Sequence, residues 1–192
     1  MKPTLQRQLL SIAISGALCV AGAEPAQAAP FNRTASLQGV TFQVSARGDG
    51  SIQQLTVITT DKGKPLPAIK VDTDGQVTGM EVEDLNWDGR PELLVYVTSA
   101  GSGSYGSVLA WSVSPAHTLL PIHMPELSGT WAKGYVGHDS FMIGETALVR
   151  KFPIYRPGDS NAKPTGGTRH VYYKLVRGEA SWQFMPVRSD SY

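Results

Sequence analysis

The sequence predicts an all-β fold, an antiparallel β-sandwich or flattened barrel of about eight strands. Three observations predict it. Hydrophobic segments carry apolar residues at alternate positions, the period of a strand with one buried face. Beyond residue 28 no window holds a convincing helical period. Twenty glycines and thirteen prolines break the chain at short, fairly regular intervals, as turns do in sandwiches and barrels.

The elements follow in order. Val40-Thr41-Phe42-Gln43-Val44 alternates apolar and polar residues, and Leu55 to Thr59 is apolar and β-branched. Between them, Arg47-Gly48-Asp49-Gly50 reads as a hairpin turn rather than an adhesion tripeptide. Gln76 to Leu85 follows the turn signal Asp72-Thr73-Asp74-Gly75, which predicts a hairpin there. Leu93 to Thr98 is apolar on both faces, as in a central strand covered on both sides. Val108 to Val113, Ala147 to Tyr155, Val171 to Val176 and Ser181 to Val187 complete the set. In the last, Trp182 and Phe184 point the same way across Gln183. Two polar stretches, Gly101 to Ser107 and Gly158 to Thr168, read as irregular loops, the second exposed and without an apolar anchor.

At the N-terminus, Lys2 and Arg7 precede the apolar run Leu9 to Gly22, and Ala26-Gln27-Ala28 is a small-x-small site. That order predicts a cleavable secretory signal over residues 1–28 and one β-sandwich domain over residues 29–192. The run is too short and too rich in Gly and Ser for a membrane span. Leu18 stands where a lipid-modified Cys19 needs a small residue, so the mature protein is expected in the periplasm without a lipid anchor. Cleavage leaves 164 residues, with 15 basic and 15 acidic side chains. A chain of that size can bury roughly 68–70% of its unfolded surface. Its balanced charge does not steer it toward nucleic acid or an anionic membrane. Cys19 leaves with the signal, which excludes disulfides, Cys nucleophiles and Cys-ligated metals.

Several motifs invite chemistry. Gly101-Ser102-Gly103-Ser104-Tyr105-Gly106 matches the dinucleotide fingerprint by letter, but the residues after it form a strand-like segment ending at Pro115, not a cofactor helix. His138 beside Asp139 lacks a nucleophile and an oxyanion hole, so no catalytic residue is assigned. Asp84, Asn86 and Asp88 place oxygens at every second residue before Gly89, as in a calcium loop. The position of the bidentate glutamate holds Val95, although Glu92 could supply an oxygen. The alternative is a turn whose side chains bond their own backbone. The expectation is that calcium is dispensable and no cofactor is needed.

The stretch Ser102-Gly103-Ser104-Tyr105 resembles the SGxY loop of the periplasmic inhibitors of invertebrate-type (i-type) lysozymes. Asp84 to Leu93, Val95 to Gly106, Gly134 to Asp139, Leu148 to Tyr155 and Gly158 to Pro164 resemble that family as well. The resemblance implies a β-sandwich that binds an i-type lysozyme and does no chemistry of its own. It implies that the loop enters the enzyme's cleft, with Ser102 and Tyr105 in the two recognition positions, and it points to a homodimer as one form of the protein. Residues Asn161, Ala162 and Lys163 of the second polar loop are expected beside the first as a further binding edge.

The chemistry of the loop suits that role. A glycosidase cleft holds two carboxylates. Its plug needs a slim backbone (Gly101, Gly103, Gly106), a hydroxyl donor (Ser102) and a rigid aromatic body (Tyr105). Taken alone, these residues also fit a plain hairpin loop with Tyr105 folded back on the sheet. A second function class, a calcium- or glycan-binding envelope module without an enzyme partner, rests on the Asp84 to Asp88 turn. Co-purification with lysozyme favours the first class; calcium-dependent melting without lysozyme binding favours the second.

Overall fold

A computed structural model of the chain describes residues 30–48 and 51–192. The expected signal, residues 1–28, lies outside them, as do Asp49 and Gly50 of the tripeptide turn. The described residues form strands and turns and contain no helix. There are thirteen strands in three antiparallel sheets. The first sheet holds β1 (Phe31–Leu37), β2 (Val40–Arg47), β3 (Ile52–Asp61), the two-residue β4 (Lys64–Pro65) and β5 (Ile69–Asp74), with β4 and β5 both pairing β3. The second runs β6 (Gln76–Glu83), β7 (Glu92–Thr98), β8 (Gly106–Val113) and β9 (Leu119–Ile122). The third runs β10 (Ser140–Gly144), β11 (Ala147–Pro153), β12 (Thr168–Arg177) and β13 (Trp182–Ser191).

The second sheet is the middle layer, because its strands β7 and β8 bury residues on both faces. Leu93, Val95 and Val97 of β7 join Phe42, Val44, Leu55 and Val57 of the first sheet in one core. Leu94 and Tyr96 join Leu148, Phe152, Val171, Tyr173 and Phe184 of the third sheet in another. Alternate residues of one strand therefore feed two cores, as the pleat requires, and the continuous apolar reading of this strand is realised. The second and third sheets also meet at an edge. There His123 N–H donates to Trp182 O (3.0 Å), and Phe184 N–H donates to His123 O (2.9 Å). The result is a layered sandwich, not a closed barrel.

All eight expected strands are present, and five more join them. The extra ones are edge or short strands: β1, with Asn32, Arg33 and Thr34 exposed in sequence, and β4, β5, β9 and β10. Edges are kept short and polar to discourage pairing with other chains, which erases the alternation that would announce them. The hairpin expected at Asp72 to Gly75 is corrected. Residues Asp72 to Asp74 belong to β5, which pairs β3, whereas β6 pairs β7. Gly75, at φ 137°, carries the chain from one sheet to the next; a Cβ there would stand 2.4 Å from the Thr98 carbonyl oxygen. A turn signal marks a reversal but does not say which sheet receives the chain.

Candidate functional site

The loop between β7 and β8 is held by backbone hydrogen bonds from within and from outside. Within it, Ser104 N–H donates to Gly101 O (2.9 Å) and Ser99 N–H donates to Tyr105 O (2.9 Å). Tyr105 N–H donates to the Ser99 hydroxyl oxygen (2.9 Å). Ser104 takes a left-handed φ of 42° to make the turn. From outside, His138 N–H donates to Gly103 O (2.7 Å), Asn161 Nδ2 donates to Ser102 O (2.8 Å), and Gly106 N–H donates to Asp139 Oδ1 (2.6 Å). What the loop leaves in solvent is side chain: Ser102 is exposed and Tyr105 is 49% exposed.

The glycines have separate reasons. A Cβ on Gly103 would lie 2.4 Å from the Tyr105 ring, and one on Gly106 would lie 2.8 Å from Phe141 and 3.0 Å from Asp139 O. Gly101 has open space around it. Across the contact, Gly137 sits at φ 99°, and a Cβ there would meet Gly103 O at 2.1 Å. The loop and residues 137–139 thus touch backbone to backbone, an approach only glycine allows.

Beneath the loop lies a buried polar hub. Asp139 Oδ2 accepts from Arg150 Nε (2.6 Å) and from the Tyr135 hydroxyl (3.0 Å), and Arg150 Nη2 also pairs with it. Burial pushes the Tyr135 phenol up to about 12, with the Arg150 charge pulling the other way. Burial opposes the Arg150 charge, but Asp139, Tyr135 and Tyr173 together outweigh it and raise the guanidinium further. The Tyr105 ring stands edge-on to Tyr135, with centroids 5.9 Å apart. It borders a cavity of about 520 Å³ that Met124, Leu127, Phe141 and Arg150 help to line.

The structure brings the second polar loop to the first through one residue. Asn161 bonds Ser102 O, accepts at Oδ1 across 3.0 Å from His138 Nε2, and its own carbonyl accepts from the Tyr155 hydroxyl (2.8 Å). Ala162 and Lys163 are exposed beyond it. The base of this loop is pinned by Asp159, whose carboxylate accepts from the backbone N–H groups of Arg156 and Thr165 and is held below the ordinary range by those bonds. Sequence reasoning weighed His138 and Asp139, as individual side chains, for catalysis and assigned them none. Their place in the molecule is as supports: a backbone amide for Gly103 and a carboxylate for Gly106. Ser99, Tyr135 and Arg150 lie in segments that resemble the family, but no motif assigned them a role.

The family model described as periplasmic lysozyme inhibitor of I-type lysozyme (PliI) matches residues 31–129, just over half the chain. The chain belongs to this family. Membership in PliI implies a lysozyme inhibitor, a periplasmic one, with I-type lysozyme as partner and binding rather than catalysis as its task. No curated protein matches the chain. The matched range holds the first two sheets and the whole Ser102 to Tyr105 loop. The supports at Tyr135, His138, Asp139, Arg150 and Asn161 fall after it, so this PliI protein props a family-matched loop with residues beyond the matched range.

The Asp84 turn of the PliI protein spends its side chains on itself. Asp84 accepts from Asp88 N–H (3.1 Å), Gly89 N–H (2.9 Å) and Gln38 Nε2 (2.8 Å). Asn86 Oδ1 accepts from Asp88 N–H (2.9 Å), and Asp88 Oδ1 from Arg90 N–H (2.9 Å). Glu92 points into the sandwich, where it accepts from Leu85 N–H (2.8 Å) and the Ser112 hydroxyl (2.9 Å). Burial pushes its carboxyl up to about 7 against the pull of those two bonds. This is the pattern of an Asx-type turn. Thermal unfolding should therefore be the same in millimolar calcium and in excess chelator. A calcium site at a hundred times its dissociation constant would add about 2.7 kcal/mol, so a stabilisation of that size lost in chelator would restore the metal reading.

Proposed function

We propose that the chain inhibits I-type lysozyme by inserting the Ser102 to Tyr105 loop into the enzyme's substrate cleft. The observation that carries this reading is the division of labour in the loop. Its backbone is fixed by Ser99, His138, Asp139 and Asn161, while the Ser102 and Tyr105 side chains face solvent. A loop already held in one shape loses little entropy on binding, and that raises affinity without new contacts. Ser102 then donates to a cleft carboxylate, a bond to a charged group worth roughly 1.5–3 kcal/mol. Tyr105 fills a sugar subsite with a ring of restricted freedom, and Gly103 and Ser104 keep the span between them thin. The protein that acts is the domain over residues 29–192, released by cleavage of the signal over residues 1–28.

In this reading Asn161, Ala162 and Lys163 form the rim of the same surface. Replacing the three with Gly and Ser removes the clamp on Ser102 O and an exposed cation at once. Inhibition of an I-type lysozyme should weaken about tenfold, the equivalent of about 1.4 kcal/mol. The melting temperature should hold within a few degrees, because all three side chains are exposed. Unchanged inhibition would leave the segment as a connector between β11 and β12.

A further inference from the structure

A second groove opens at the other end of the middle sheet. The Ser102 to Tyr105 loop follows β7 and the Asp84 turn precedes it, so the two ends stand about 20 Å apart along a seven-residue strand. The groove has a volume of about 470 Å³ and is lined by Asn86, Trp87, Thr146, Lys174, Arg177 and Trp182, among others. That volume lies in the range of small-ligand sites.

Its composition is that of a site rather than a seam. Trp87 is 78% exposed, the most exposed of the large apolar side chains among the described residues. It is presented on a turn residue with φ 59°, a left-handed conformation that bulky side chains avoid. The lining also takes Thr146 from the β10–β11 turn, where Glu145, outside the lining, and Thr146 take φ 50° and 64° without a glycine. Two-residue turns of this kind ordinarily use Asn-Gly, and unfavourable backbone gathered at one place marks functional surfaces. Arg177 lies over the Trp182 ring, 4.9 Å from its centroid, which fixes the guanidinium at the groove wall. Neither Arg177 nor Lys174 has a carboxylate within ion-pair distance among the described residues. No carboxylate lines the groove among the described residues. The acids of the Trp87 turn, Asp84 and Asp88, accept bonds from backbone N–H groups of that turn.

We propose that this groove is a second binding site, for an acidic saccharide of the cell wall. Trp87 is the platform on which a pyranose ring stacks, and Lys174 and Arg177 receive its carboxylate. An exposed indole offers a flat apolar face to the C–H side of a sugar, and the two cations of the groove lining select a charged sugar over a neutral one. A periplasmic family works beside wall glycans whose alternate sugars carry a lactyl group, amide-linked to a peptide in the intact wall and a free carboxylate on strands from which the peptide has been removed, so this chemistry is at hand on peptide-free strands. Such a site would hold the inhibitor on the polymer that its target enzyme attacks, leaving the other end of the sandwich free.

The test uses the mature protein and two tetrasaccharides of equal length. One alternates N-acetylglucosamine with N-acetylmuramic acid; the other is chitotetraose, which lacks the carboxylates. Calorimetry and tryptophan fluorescence should give at least tenfold tighter binding of the acidic one. Trp87→Ala should abolish binding of both while inhibiting lysozyme as the parent does. Lys174→Ala combined with Arg177→Ala should reduce the acidic sugar to the affinity of the neutral one. The proposal is overturned by any of three results: no saturable binding at millimolar sugar, equal affinity for the two sugars, or binding that survives Trp87→Ala. Loss of inhibition in a folded Trp87→Ala variant would also overturn it, by assigning the groove to the enzyme instead of the wall.

Discussion

Truncating Tyr105 to alanine is expected to weaken lysozyme inhibition roughly thirtyfold or more, the effect of losing about 2 kcal/mol at an interface hot spot. The cost to the fold should be much smaller. Half of the residue is in solvent, and its ring makes one edge-on aromatic contact, with Tyr135. Such pairs contribute about 0.5–1.5 kcal/mol, or a few degrees of melting temperature in a domain of this size. Ser102→Ala, which removes only a hydroxyl from an exposed position, should weaken inhibition at nearly constant stability. If both side chains occupy one cleft, the double variant will lose less than the sum of the two single effects. Inhibition constants and melting curves on the same samples decide the matter. A Tyr105→Ala protein that inhibits like the parent would make the loop an ordinary turn. One that loses inhibition by unfolding would make Tyr105 a core residue.

How the loop is held was the part of the site that sequence could not supply. The polar run from Gly101 to Ser107 announced itself by composition, and β7 by its unbroken apolar character. The partners of the loop lie 33 to 59 residues away in the chain, and no local pattern reports a contact of that range. His138 is the clearest case. Its imidazole drew attention as a candidate base, yet the group that touches the loop is its backbone N–H, which every residue but proline possesses. Gly103 is another. The reason it must lack a side chain is the Tyr105 ring two residues on, a packing fact rather than a backbone one. The Asp84 turn left two readings open in sequence, a metal loop or a self-bonded turn, because the same oxygens serve either purpose.

The Asp139 hub carries the largest expected effect on stability. Asp139→Ala would leave Arg150, itself buried, without its counter-charge, and breaking a buried pair from one side costs about 3–5 kcal/mol. The melting temperature should fall on the order of 10 °C, and inhibition should weaken because Gly106 N–H loses its acceptor at the end of the Ser102 to Tyr105 loop. Those two consequences are separable. Replacing the pair together, with Asp139→Leu and Arg150→Met, removes both charges, and apolar replacement of a buried ion pair is commonly neutral or stabilising. Stability should therefore recover in large part, while the Gly106 amide stays unpaired and inhibition stays weak. Asp139→Asn is intermediate. Its amide can accept from Arg150 or from Gly106 but not satisfy both, since one of its two ends is now a donor. Thermal melts and inhibition constants for the three variants test the scheme. Full inhibition by the Leu/Met protein would mean that Asp139 serves the fold alone and that the loop keeps its shape without it.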